Sequence, residues 1–139
     1  MTNSQADDLV FSFIEPYVRT MESNLNYPVY VYWPGIDAPR TVDKTKLYVS
    51  VTRRVRKRPF GVEAGTGSLV DGEVRVMIYA TEAKGDFALC SLIADQMSLN
   101  LTRRRCGPHL VMKETTWEDT ENRYGRRIFT VIIEYEYES

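Results

Sequence analysis

The sequence predicts an α+β fold, with two helices packed on one face of a mostly antiparallel sheet of about four to five strands and a long projecting β-hairpin. Three observations carry that expectation. Two segments repeat apolar residues at three- and four-residue spacing, the signature of a helix with one buried face. Several others alternate β-branched or aromatic residues with polar ones, the signature of a half-buried strand. Glycine, proline and asparagine fall between these segments, so neighbouring strands join by turns and run antiparallel. The 139 residues fit a single domain spanning the whole chain, 1–139, long enough to bury a core without disulfides or metals.

The first helix is expected from about Ser4 to Asn24. Leu9, Val10, Phe13, Ile14, Tyr17, Val18 and Met21 form its apolar side. Asn3 or Ser4 serves as cap, and Asp7 and Asp8 suit the positive end of the dipole. Pro16 removes a backbone donor and crowds the preceding turn, which predicts a kink or break near Glu15. Pro28 to Trp33 reads as a short strand closed by Pro34-Gly35, and Ile36 to Lys46 as loop.

A longer strand follows, with Leu47, Val49, Val51 and Val55 on one face and Tyr48, Ser50, Thr52 and Arg54 on the other. Pro59 ends it. Phe60 to Ser68, with Gly61, Gly65 and Gly67, is a loop, and Glu73 to Ala80 is the returning strand of a long hairpin. Asp86 to about Leu101 is the second helix, with Leu89, Leu92, Ile93 and Met97 inward and Asp95, Gln96 and Asn100 outward. If that face is buried, Leu92→Ala costs about 2–5 kcal/mol. Gly107-Pro108 blocks its continuation. Leu110 to Trp117 and Arg127 to Tyr137 close the chain as a hairpin around a charged turn, Glu118 to Gly125. Phe129, Val131, Ile133 and Tyr135 share one face of the last strand.

Composition excludes several classes. Hydrophobic residues are 43% and charged residues 27%, which is globular rather than disordered. Net charge is -1, so overall charge gives no pull toward nucleic acid. Nine tyrosines suit contact surfaces. No apolar run approaches the roughly 18 residues of a membrane span, and the polar, acidic start MTNSQADD is unlike a signal peptide. Synthesis and folding in a cytosol are expected.

Catalytic patterns are missing. Cys90 and Cys106 form no C-x-x-C pair, and one histidine, His109, is too few for a zinc set. Cys90 reads as a small buried hydrophobe, His109 as a loop residue. No G-x-S-x-G occurs. The glycines at 61, 65 and 67 lack the lysine and spacing of a phosphate loop, and join strands instead of opening a helix. Glu134, Glu136 and Glu138 form an acidic row on one strand face. Glu114, Glu118, Asp119 and Glu121 gather near a turn. No motif marks either group as a magnesium site, so no cofactor and no enzymatic activity are expected. Basic residues cluster at Arg53, Arg54, Arg56, Lys57 and Arg58, and at Arg103 to Arg105. Such clusters serve as a solvated face, as phosphate contacts, or as partners for an acidic surface on a neighbouring copy.

Arg58 to Glu63, Gly67-Ser68 and Gly72 to Tyr79 place a glycine-bearing loop before a strand. An alanine-bearing helix with Ile93-Ala94-Asp95 follows, and a closing hairpin from Phe129 to Tyr137. This arrangement resembles the tail terminator (tail completion) proteins of long-tailed bacteriophages, of the lambda type. The resemblance covers most of the chain in element order, with its specific residues between Arg58 and Met97. It implies a structural virion protein that assembles in the host cytoplasm as a homohexameric ring. That ring caps the head-proximal end of the tail tube and later meets the head–tail connector, with DNA crossing the lumen without sequence-specific binding. The expected partners are thus further copies, the tail tube protein and the connector protein. The inter-subunit or tube interface is expected at Arg53, Arg54, Arg56, Lys57, Arg58, Phe60, Glu63, Glu134 and Glu136. A head-closure or adaptor protein, or a small DNA-binding accessory protein, are the alternative readings.

Overall fold

A computed structural model of the chain describes residues 1–36, 45–59, 68–81, 84–121 and 126–138, with side chains for all of these except 57–59, 68, 84, 85 and 121. The fold is α+β. Helix α1 spans Asn3–Leu25 and runs through Pro16 without a break. Ala6, Val10, Ile14, Val18 and Met21 are buried along its length, whereas Ser12 and Pro16 face water. The carbonyl that proline leaves without a donor therefore lies on the solvated side, and packing of both halves on the sheet outweighs its loss. The cap is Thr2, not Asn3 or Ser4. Its hydroxyl accepts the Gln5 N–H at 3.2 Å while the Gln5 side chain accepts the Thr2 N–H at 2.9 Å. Asn26 closes the helix in the left-handed region, at φ 60°.

Strand β1 is only Val31–Tyr32, shorter than the alternation suggests, and it pairs parallel with β2. Strands β2 (Tyr48–Pro59) and β3 (Ser68–Tyr79) form the expected hairpin, in register from Tyr48↔Tyr79 to Pro59↔Ser68. Helix α2 is Lys84–Leu101. Strand β4 (Arg105–Cys106) was not foreseen. Arg103 turns into it at φ 59° and donates its N–H to the Lys113 carbonyl at 2.6 Å. Strands β5 (Leu110–Glu121) and β6 (Arg127–Glu138) complete the chain, with an irregularity between Met112 and Thr115. Among the described residues the sheet therefore has six strands rather than four to five, in the order β1-β2-β3-β6-β5-β4. Among the described strands it is mixed only through the β1–β2 pair. Nor does the described part of the hairpin stand apart, because β3 pairs with β6 from Leu69↔Glu138 to Tyr79↔Ile128. Its turn, residues 60–67, lies outside the described residues.

One face of the sheet carries the core. Val49, Val51, Val74, Val76, Ile78, Phe129, Val131 and Ile133 are all buried there. Both helices lie on that face. Asp95 of α2 accepts the Trp117 indole N–H at 2.8 Å, and Ser98 donates to the Thr115 carbonyl at 2.6 Å. Asn3 of α1 accepts the Tyr137 hydroxyl. Gly72 has the ring of Tyr135 lying directly where a Cβ would stand, so this strand position has room for no side chain.

The inward stripe of α2 differs from the expected one. Cys90, Ile93, Ala94, Met97 and Leu101 are buried, but Leu92 is 54% exposed and Leu99 80%. The helix is apolar on most sides, so its periodicity does not select a face. The small side chains of Cys90 and Ala94 do, since they let the helix approach the sheet.

Candidate functional site

The opposite face of the sheet carries no described helix, and strand alternation fixes its contents. One end is aromatic. Tyr48 stacks on Tyr79 with centroids 4.4 Å apart, Tyr32 meets Tyr48 edge-on at 5.8 Å, and the Arg126 guanidinium lies 5.0 Å from the centre of the Tyr48 ring. Burial raises the Tyr48 phenol, with Tyr79 adding to the shift.

The other end is charged. Register sets Arg54 opposite Glu73 and Glu73 opposite Glu134. It sets Arg56 opposite Asp71 and Asp71 opposite Glu136. A shallow hollow of about 590 Å³ lies here, bordered by Arg54, Arg56, Asp71, Glu73, Lys113 and Glu134. Lys113 reaches across it, 2.9 Å from Glu136 and 3.4 Å from Asp71. Its hydrogen bond to Glu136 and the nearby carboxylates raise its pKa. Arg75 holds Glu73 at 2.9 Å. Among the described residues, Arg54, Arg56 and Glu134 have no ion-pair partner, and each is exposed.

The residues expected at an interface therefore divide. Arg54, Arg56, Glu134 and Glu136 share the open face. Arg53 does not, because it lies on the helix side and pairs with Asp7 of α1 at 2.5 Å. The backbones of Lys57 and Arg58 continue β2 opposite Val70 and Leu69, while their side chains, and Phe60 and Glu63 entirely, lie outside the described residues. The acidic row also sits in an inner strand and not at an edge, and Glu136 already meets Lys113 of the same chain. The sequence did not single out Asp71, Glu73, Arg75 or Lys113, which complete this surface. The hairpin alternation could have placed Asp71, Glu73 and Arg75 on the face of Arg54. Nothing local could have brought Lys113 to Asp71, 42 positions away.

A fixed pattern of charge on a face of this kind is a feature that fixes register and selects between protein surfaces. Cys90 and Cys106 are free and buried on the other side. Burial, then Asp86, pushes the Cys90 thiol up to about 12, which keeps it protonated and inert. Among the described residues no helix is long and apolar enough to cross a membrane. No protein-family model matches the chain, and no curated protein matches it.

Proposed function

We propose that this chain is a structural subunit that assembles head-to-tail into a ring, acting as the tail terminator of a long-tailed phage. In this role the ring caps the head-proximal end of the tail tube, ends its growth and offers the surface for head joining. The observation that carries the reading is the one-sided sheet. Both helices cover one face, and four twelve-residue strands present the other, over which no described helix lies, with its charge gathered at one end. A broad, rigid and charge-patterned face suits docking on another protein surface. The element order, helix then hairpin then helix then hairpin, supports the same reading through the resemblance noted above.

The test is the mass of the purified chain by light scattering over a concentration series, followed by negative-stain imaging alone and with tail tubes. Rings, and rings seated at one tube end, are expected. Particles bound elsewhere on the tube would move the assignment to another connector component. The unpartnered Arg54 and Arg56 keep a second reading in play, in which the open face contacts nucleic acid. That reading requires DNA binding that falls steeply with salt.

A further inference from the structure

We propose that two strand edges of opposite charge, each left without a strand partner over one half among the described residues, join successive copies of this chain. The C-terminal half of β2 in one copy pairs antiparallel with the C-terminal half of β5 in the next. The inference deepens the ring reading, and rests on it only for head-to-tail self-association.

Strand β1 covers β2 only at Val49 and Ser50. Beyond Ser50, no described strand lies along that side of β2. The Val49 N–H points to this side, donating to the Tyr30 carbonyl at 2.9 Å. Strand alternation then sends the backbone groups of Val51, Arg53 and Val55 off the same edge. At the far edge, β4 pairs with β5 at Leu110 and Val111, and Arg104 and Arg103 just before it extend the cover to Met112 and Lys113. The Thr115 N–H donates to the Thr102 hydroxyl at 3.1 Å, and its carbonyl accepts from Ser98 at 2.6 Å. Two and four residues on, Trp117 and Asp119 direct their backbone groups the same way, with no described strand to meet them.

Unpaired edges invite another strand, and side-chain charge decides which. The β2 edge carries Arg53, Arg54 and Arg56, and the β5 edge carries Glu118 and Asp119. Two β2 edges repel each other, as do two β5 edges. A two-fold dimer through either edge is therefore disfavoured, and only the unlike pairing remains, which is the heterologous contact of a ring. Directions agree as well. Between β2 and β5 each neighbouring pair is antiparallel, so the two strands run oppositely and meet antiparallel when copies stand side by side.

One register satisfies the charges, with Arg54 opposite Glu118, Arg53 opposite Asp119 and Val55 opposite Trp117. In its own sheet Glu118 lies level with Ser50, through Thr130 and Met77. The register therefore staggers copies by about 13 Å at roughly 3.3 Å per residue, an offset that tilted strands supply in a closed ring. Arg53 and Asp119 already hold Asp7 and Arg127 in their own chain. Arg54 and Glu118, on the open face and without ion-pair partners among the described residues, carry the selectivity.

The experiment is a charge swap read by light scattering on the full chain, with circular dichroism to verify folding. Arg54→Glu alone and Glu118→Arg alone each raise the association midpoint on the order of tenfold, and the double variant restores it. A chain carrying Arg54→Cys and Glu118→Cys gives a ladder of disulfide-linked multimers on mild oxidation, whereas each single cysteine gives at most dimers. Wild-type multimers with unmoved midpoints in both single variants, and no ladder, would overturn the edge pairing and leave the ring reading standing. A wild-type chain that stays monomeric across the series, with no ladder, overturns both.

Discussion

At the residue scale, two positions show how backbone and burial constrain chemistry. Gly72 is the β3 residue over which the Tyr135 ring lies, and any Cβ there enters the ring. Gly72→Ala is expected to lower stability by about 1–3 kcal/mol through overpacking, measured by urea denaturation. Tyr135→Leu in the same background should recover part of that loss by vacating the space. Cys90 and Tyr135 make the folded chain sensitive to alkali. Burial is the main cause in both, with Asp86 adding to the first and Asp7 to the second, and each is pushed up to about 12. The unfolded chain ionises these groups near their ordinary values of 9.0 and 10.0. The folded state thus holds the protons more tightly, and its advantage is full below pH 9 and lost as pH rises toward 12. The melting midpoint should fall steadily across that window. A flat profile from pH 8 to 11 would show that both groups reach water.

At the element scale, the helices separate what periodicity predicts from what packing decides. Leu92 reads as core from spacing alone, yet it faces solvent. Leu92→Ala should therefore change stability by no more than about 0.5 kcal/mol, whereas Ile93→Ala should cost about 2–5 kcal/mol. Equal losses would mean that α2 is rotated from the orientation described. Of the kink or break expected near Glu15 in α1, the break does not occur, since the exposed side of a buried helix tolerates a missing hydrogen bond. Pro16→Ala restores that bond and should raise stability by about 1–3 kcal/mol, seen as a higher melting midpoint. The strands were more legible than the helices. Leu47 just before β2, Val49 and Val51 on it, and Phe129, Val131, Ile133 and Tyr135 on β6 are buried as their alternation requires, while Val55 farther along β2 is half-buried. A period of two leaves only two faces to choose from, and the apolar set decides between them. Strand ends were less legible, because β3 begins at Ser68 and β5 runs to Glu121, through polar stretches that only cross-strand pairing holds extended.

At the scale of the whole molecule, the function proposed is a matter of surfaces. Under that proposal, the helices on one face, the charged face opposite and the two unlike edges are the distinct patches that meet distinct neighbours. If charge selects the contact between copies, association should weaken as salt rises through the range where the Debye length falls from about 30 Å to about 8 Å. Light scattering at 0.01 M and 0.15 M ionic strength measures this, and an unchanged midpoint would point to an apolar contact, for which exposed Leu92 and Leu99 of α2 are placed.

The sequence by itself determined the fold class, the hairpin of β2 and β3, the inward faces of the long strands and the buried state of Cys90, because local periodicity and composition encode each of them. Only the tertiary structure decided the sheet order, the brief strands β1 and β4, the face that α2 buries and the capture of Arg53 by Asp7 of α1. Those depend on contacts between residues far apart in the chain, such as Arg53 with Asp7 and Lys113 with Asp71 and Glu136, and no local pattern records which distant partner a side chain will meet.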